Sequence, residues 1–402
     1  MAIRAFWCTA LRWWLVHRGT KIRPALRDYD KERKYTSEKG VYFFCKKVCM
    51  CSQFESVQKL FSNYKRGKFD MSDICILSNH GALKCSGEHL LYSAYEVPQI
   101  KILPVQTQHF IIIGDVAMSG EAMRLIMKHE IPVVYMTRSG QFVSRIMYSE
   151  SKNILLRRKQ YALLEDSGKV MQIARIIVIG KLKNQIAFMQ RIKRNSLSSA
   201  DNEEVDNAIA AVKLAEKEAK KALSLEKLRG IEGNAAKKYF SVFGKNILPE
   251  WAVFEKRSRN PPETNVNAVL GFLYTLLTHY VATAIEAQGL DTMVGNLHNQ
   301  SYGDDVLAFD LVEEFRVPVV DSLVCKMFNK NILALNDFRT EKHKSGKTAV
   351  YLSDSGIKKA FKAFDEKLRD EKKPYLELIM SQARSYKQMI MDGGEYIPYR
   401  FK

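Results

Sequence analysis

The sequence predicts an α+β protein in which a small, mostly-β N-terminal domain precedes a larger, all-helical one. Two observations carry this. Between Ile74 and Met147, short apolar runs rich in β-branched and aromatic residues alternate with Gly, Pro and Asn, the pattern of strands and turns. From Ser151 to about residue 390 the apolar residues recur at helical spacing instead.

In the first region, Ile74 to Leu77 runs into Asn79-His80-Gly81, His109 to Ile113 into Gly114-Asp115, and Ile131 to Met136 into Arg138-Ser139-Gly140. Each reads as a strand ending in a turn. Between the last two, Ser119 to His129 has helical spacing, with Ala122, Leu125 and Ile126 on one face. In the second region, Asn153 to Leu164 and Val170 to Lys193 are amphipathic, with Arg157, Arg158, Lys181, Lys183 and Arg191 on the polar side. Asp201 and Glu204 have capping-box spacing before an Ala/Lys/Glu-rich run from Val205 to Leu225, which reads as a solvated helix. No internal repeat recurs at solenoid periods.

The expected domains are therefore 71–150 (β) and 151–402 (helical), preceded by 1–70. That first segment alternates aromatic and basic residues without periodicity and holds 16 Lys+Arg against 6 Asp+Glu. It reads as a basic extension of uncertain structure, a fusion remnant or an upstream mis-start. At 402 residues and 46% hydrophobic, the chain has room for two or three domains with sizeable cores. Its formal charge of +19 favours a polyanionic partner, because neutralising phosphates releases counterions. Of that charge the first 70 residues supply +10 and the remainder +9, so the main body is only moderately basic.

The longest apolar stretches, Phe110 to Ile113 and the region around Leu270 to Ala287, are short or interrupted by Thr278 and His279, so no membrane span is expected. Arg4 and Arg12 break the N-terminal apolar run, and no secretory signal is expected either. Seven cysteines without scaffold spacing suit a reducing cytoplasm. Cys45, Cys49 and Cys51 cluster, but no second ligand pair follows at zinc-site spacing.

Three stretches can carry chemistry. In Arg229-Gly230-Ile231-Glu232-Gly233-Asn234-Ala235-Ala236, glycines and alanines leave space around one acid, although a carboxylate at a helix start fits the same pattern. Gly295-Asn296-Leu297-His298 leads through Gly303-Asp304-Asp305 to a helix bearing Asp310, Glu313 and Glu314, which share one side at i, i+3 and i+4. Several acids near a histidine are costly unless a cation or arginine neutralises them. Carboxylates with an imidazole suit Mg²⁺ or Mn²⁺, whereas singly His298 reads as a helix-end histidine and Glu313-Glu314 as a solvated face paired with Arg316. Finally, Lys256-Arg257-Ser258-Arg259-Asn260-Pro261-Pro262 holds basic residues in an extended loop, as phosphate contacts or as a structural proline turn.

Read in this order, the stretches resemble the universal CRISPR-associated integrase family, Cas-one. The resemblance rests on Ile231-Glu232-Gly233, Arg259-Asn260-Pro261-Pro262 leading to Asn267-Ala268-Val269-Leu270, and Leu297-His298 leading to Ala308-Phe309-Asp310-Leu311-Val312-Glu313-Glu314-Phe315-Arg316. It covers about residues 73 to 402. It implies a β-domain followed by a helical catalytic domain, a homodimer, and a complex with the small partner Cas-two. It also implies divalent-metal ligands at Glu232, His298 and Glu313, with Asp310 as a supporting acid. The implied reaction is transfer of a DNA 3′-hydroxyl onto a CRISPR repeat, inserting new spacers, with associated endonuclease activity. Arg229, Arg257, Arg259, Lys181 and Arg158 are the expected contacts to double-stranded DNA phosphates. An integrase of a mobile element or of a reverse-transcriptase-linked system is the alternative enzyme, and a non-catalytic DNA-binding scaffold the alternative from another class.

Overall fold

The structure is a computed structural model that describes residues 41–44, 72–95, 97–146, 153–194, 198–299 and 302–401. Most of the 1–70 segment, with Cys45, Cys49 and Cys51, lies outside the described residues.

The N-terminal region is a seven-stranded mixed sheet of β1 (Val41–Phe44), β2 (Ser72–Ser86), β3 (His89–Ala94), β4 (Val97–Ile102), β5 (Thr107–Met118), β6 (Val133–Met136) and β7 (Phe142–Ile146). The order is β4-β3-β2-β5-β6-β7, with β1 pairing antiparallel to the first half of β2. β2, β5 and β6 run parallel, the last two joined by α1 (Gly120–Lys128). Ala122, Leu125 and Ile126 of α1 pack on Ile74, Ile76, Phe110 and Ile112, as their spacing predicts. The alternate residues Cys75, Leu77, Ile111, Ile113, Val134 and Met136 face the helices. Central strands covered on both faces are continuous apolar runs rather than alternating ones, which is what made them legible.

β2 does not end at Asn79-His80-Gly81. Its pairing with β5 shifts register between Ser78 and Gly81, and the strand continues. Gly114 sits opposite with φ of +102°, where a Cβ would collide with the Ser78 carbonyl oxygen. The turn-like residues shape a bulge where two strands approach closely.

The second region comprises α2 (Ile154–Glu165), α3 (Ser167–Lys193), α4 (Ser199–Lys221), α5 (Leu225–Phe243), α6 (Asn265–Ala287), α7 (Val306–Phe315), α8 (Ser322–Asn329), α9 (Asp354–Leu368) and α10 (Tyr375–Asp392). A π-helical turn, Arg316–Asp321, links α7 to α8, and a hairpin of β8 (Phe338–Lys342) and β9 (Thr348–Leu352) interrupts the helices. Side-chain oxygens of Asn153, Asp166, Ser198, Ser224, Thr264 and Ser353 accept first-turn N–H groups, so the sequence itself sets most helix starts. Ser198 rather than Asp201 caps α4, accepting the Asp201 N–H at 3.1 Å. Nor is α4 solvated all round: Val205, Ala208, Ile209, Val212, Ala215 and Ala219 form a stripe that packs against α3 and α5.

By length and composition α6 could cross a membrane, but its apolar surface is buried against α7, α10 and β9. It is the central helix of the core. Sheet and helices meet at the fully buried Asp73, where His109 Nδ1 lies 2.7 Å from one carboxylate oxygen. Arg369 pairs with the other at 2.9 Å, and the Tyr280 hydroxyl donates to it as well. Burial would raise this carboxyl, yet His109, Arg369 and Tyr280 together hold it at about 2.

Candidate active site

Three helices and one loop bring the predicted residues together. Glu232 stands well inside α5, not at a helix start, with Gly230 and Gly233 on either side of it. A Cβ added at either glycine would meet no atom within 4 Å. A mid-helix glycine costs about 1 kcal/mol relative to alanine, and here no packing partner explains the pair. The helix is bare beside Glu232, and the space in front of it is open.

His298 lies in the loop between α6 and α7, which is tied down from several sides. Gln160 of α2 donates to the Asp291 and Val294 carbonyls at 2.8 and 3.2 Å, and Arg145 of β7 pairs with Asp305 at 2.9 Å and Glu286 at 2.6 Å. Fully buried Asp310 on α7 then collects the backbone N–H groups of Asn296, Leu297 and His298 at 2.5, 2.9 and 3.0 Å. Gly295 permits this: a Cβ there would sit 2.8 Å from Asp310 Oδ2 and 2.7 Å from Val306 Cγ1. Asp310 Oδ1 also accepts from His298 Nδ1 at 2.7 Å. An imidazole that donates through Nδ1 keeps its Nε2 lone pair free, and Nε2 points toward Glu313, 3.9 Å from its Oε1.

Glu313, one turn beyond Asp310, is almost wholly buried and pairs with Arg316 Nε at 3.2 Å. Its other oxygen lies 2.7 Å from Lys181 Nζ, and the same ammonium contacts Glu232. Burial would raise the Glu313 carboxyl, but Arg316 and Lys181 pull it down to about 2. For Lys181, burial is outweighed by Glu313 and Glu232, so its pKa is raised and it stays an ammonium. Behind Arg316, the Tyr274 ring lies 4.9 Å from its guanidinium carbon, and Tyr239 and Tyr274 both donate to buried Asp321. Burial lifts Asp321 to about 6 against those two hydrogen bonds and Arg316.

Among the described residues no group of three His, Cys, Asp or Glu side chains is arranged to enclose a metal ion. What stands between Glu232 and Glu313 is the Lys181 ammonium. The donor set nonetheless fits a hard divalent cation: two carboxylates, an oriented imidazole nitrogen, and a positive charge already between the acids.

The structure separates some residues that the sequence grouped. Glu314 does not share the face of Glu313; it is fully buried on another side of α7, accepting from Gln382 at 2.8 Å, the Tyr399 N–H at 2.7 Å and Tyr396. Lys181, expected on a polar face, is inside the cluster and only 8% exposed. Arg257 turns inward, donating to Asn267 Oδ1 at 2.9 Å, and burial depresses its guanidinium to about 10. Arg259 remains exposed, Arg229 donates to Asn299 beside His298, and Arg158 is exposed on α2. Arg316 was visible in sequence only as an i,i+3 partner of Glu313. A cleft of about 860 Å³ lies elsewhere, lined by residues of β2, β5 and β6. Its charged lining is His80, Asp115 and Arg138, the last engaged with Asp354, so no set of acids converges there.

The profile of a family described as CRISPR associated protein Cas1 matches residues 74–366. A CRISPR-associated endonuclease Cas1 of Chlorobaculum tepidum is 32% identical over 306 residues, 76% of this chain and 88% of that protein. One of Leptospira interrogans is 34% identical over 62% of this chain and 100% of its own length. A Cas1 protein structure from Thermotoga maritima has a TM-score of 0.69 at 23% identity, covering 81% of this chain and 99% of that one. A casposase bound to an integration product has a TM-score of 0.70 at 22% identity, covering 81% and 92%. A complex titled Cas6-RT-Cas1 with Cas2 scores 0.73 at 22% identity, covering 84% of this chain and 37% of the matched chain.

Proposed function

The chain belongs to the Cas1 family of CRISPR-associated proteins, and on that premise we propose that it is a divalent-metal-dependent DNA integrase with endonuclease activity, acting in CRISPR spacer acquisition. The observation that carries this is the meeting of Glu232 and Glu313 on one ammonium, with His298 Nε2 3.9 Å from Glu313 Oε1, beside a stretch of helix where an added Cβ would meet nothing.

In this reading Glu232, His298 and Glu313 hold Mg²⁺ or Mn²⁺. When bound, such an ion supplies polarisation of a phosphate oxygen and stabilises the charge of phosphoryl transfer. The rest falls to the protein. Asp310 fixes the tautomer and the ring of His298, and through its three backbone contacts it fixes the loop. Arg259 and Arg229 contact DNA phosphates, giving register without reading bases. Gly230 and Gly233 admit the DNA backbone. Arg316 and Lys181 keep Glu313 ionised. The 3′-oxygen of a captured DNA fragment then bonds to a phosphorus of the repeat, the bond from that phosphorus to the repeat's own 3′-oxygen breaks, and the proton passes to the departing oxygen. Water in place of the 3′-hydroxyl gives hydrolysis. The working assembly in this reading is a homodimer with Cas2 on double-stranded DNA in the cytoplasm; its Cas2 partner is supported by the fold shared with a complex titled Cas6-RT-Cas1 with Cas2.

The test is strand transfer: full-length protein with Cas2, a supercoiled repeat-bearing plasmid, a short duplex with free 3′-ends, and Mn²⁺ or Mg²⁺. Metal-dependent joining by the wild type and its loss in Glu232→Ala, His298→Ala and Glu313→Ala is expected. Joining at the wild-type rate by the three variants would overturn the ligand assignment. No joining by a folded wild type that binds DNA would leave a DNA-binding scaffold as the better reading.

A further inference from the structure

We propose that Lys181 is a resident counter-ion that occupies the two site carboxylates until a metal and a DNA phosphate arrive together, so that neither binds tightly without the other. The proposal rests on the reading of Glu232, His298 and Glu313 as metal ligands.

Lys181 lies midway along α3, a helix that buries its neighbours Ile177, Val178 and Leu182 completely. Its stem runs through packed protein, and its side chain is 10% exposed. Its ammonium donates to Glu232 and forms an ion pair with Glu313, 2.7 Å from Oε2. With Arg316 on the other oxygen of Glu313, two cations balance two anions. A divalent ion added beside that balance puts surplus positive charge next to the buried Lys181 ammonium. Like charges a few ångströms apart repel far more strongly where the effective dielectric constant is below that of water. Metal alone therefore binds against strong repulsion. A phosphodiester brings negative charge and gives the displaced ammonium a new partner.

The surroundings determine which group can move. His298 is held by Asp310 through both ring and backbone, and Arg316 lies over Tyr274. Lys181 has a flexible four-carbon stem and, among the described residues, pairs with the two carboxylates alone. Open space adjoins Glu232, where Gly230 and Gly233 leave the helix bare. The swap we infer moves the Lys181 ammonium from Glu232 to a phosphate oxygen at that opening, as the metal takes over both acids.

The experiment measures Mn²⁺ affinity of the full-length protein by electron paramagnetic resonance, with and without a saturating short duplex, corrected for Mn²⁺ held by DNA alone. For the wild type we expect weak binding that DNA tightens by about tenfold or more, and an equal gain in DNA affinity on adding Mn²⁺, as linkage requires. Lys181→Met should bind Mn²⁺ about tenfold more tightly than wild type without DNA, with the tightening by DNA largely gone. Lys181→Arg, which keeps the charge, guards against a Met variant that fails to fold, and should retain weak metal binding without DNA. Unaltered Mn²⁺ affinity in a folded Lys181→Met, or no effect of DNA on wild-type affinity, would refute the proposal. Glu232→Gln separates the two levels: if it binds Mn²⁺ as well as wild type, the metal lies elsewhere and the ligand assignment itself fails, whatever Lys181 does.

Discussion

Two buried clusters in this molecule are built from nearly the same parts. At the seam between sheet and helices, Asp73 meets His109, Tyr280 and Arg369; at the candidate site, Glu313 meets His298, Lys181 and Arg316. In both, burial would raise the carboxyl and neighbouring donors and cations bring it down to about 2. The difference lies in closure. Around Asp73 the hydrogen bonds join strands β2 and β5 to helices α6 and α9, and the acid has no exposed surface. Around Glu313 the arrangement opens outward, with the His298 side chain 34% exposed and Glu232 21%. A perturbed carboxylate is thus a poor guide to function by itself; an oriented lone pair and an open side are what distinguish the second cluster.

The comparison breaks most plainly with Glu232→Ala. Strand transfer should fall about a thousandfold or more, roughly 4 kcal/mol of transition-state stabilisation, with the melting temperature nearly unchanged because Glu232 sits at the open edge. Asp73→Asn should do the converse, removing about 3 kcal/mol of stability because His109 loses its buried anion and Arg369 keeps only its pair with Asp365, while the specific activity of folded protein persists. Urea unfolding followed by a turnover assay checks both halves; a folded Asp73→Asn without activity would erase the distinction drawn here.

The same residue gives a pH test. The folded-state value of Asp73, about 2, lies below the ordinary value near 3.9. Its contribution is therefore complete above about pH 4 and drains away as pH falls toward 2. Acid unfolding of Asp73→Asn should lose that part of its slope. A smaller effect is expected from Asp310→Asn. It leaves the proposed metal ligands in place but ends the carboxylate's hold on the His298 ring and loop, and on the proposed reading should cost about 10–100-fold in metal affinity. Mildest is Arg259→Ala, which should weaken DNA binding across all sequences and lower the slope of log affinity against log salt by about 1.

Much of this could be read from the chain, and the exceptions have physical reasons. The face of α1 and the three central strands followed from periodicity, because their apolar residues point at one or both sides of a sheet. Asp310, Glu313 and Glu314 looked like one cluster because i+3 and i+4 both fall near residue i on a helix. Those two positions nevertheless lie about 100° apart, and on a helix buried all round 100° means different neighbours: Lys181 and Arg316 for one, Tyr396 and Gln382 for the other. Lys181 was placed with the polar face of α3, since nothing local reveals that helices α5 and α7 bring carboxylates to it. Arg257 reads like Arg259 in an extended basic loop until Asn267, eleven residues from Lys256, is seen to gather the loop onto α6. Long-range partners of this kind leave no periodic trace.

The bare turn of α5 has a consequence for how this protein can be improved. Two glycines inside a helix, where an added Cβ would meet nothing within 4 Å, keep it less stable than its fold allows, by about 1 kcal/mol each. Alanine at 230 and 233 should raise the melting temperature and narrow the approach to Glu232 in the same stroke. If these glycines admit DNA as proposed, selection for robustness and selection for activity pull in opposite directions at the two positions, and screening variants for thermal tolerance alone would lead toward a sturdier protein with a narrower approach to Glu232.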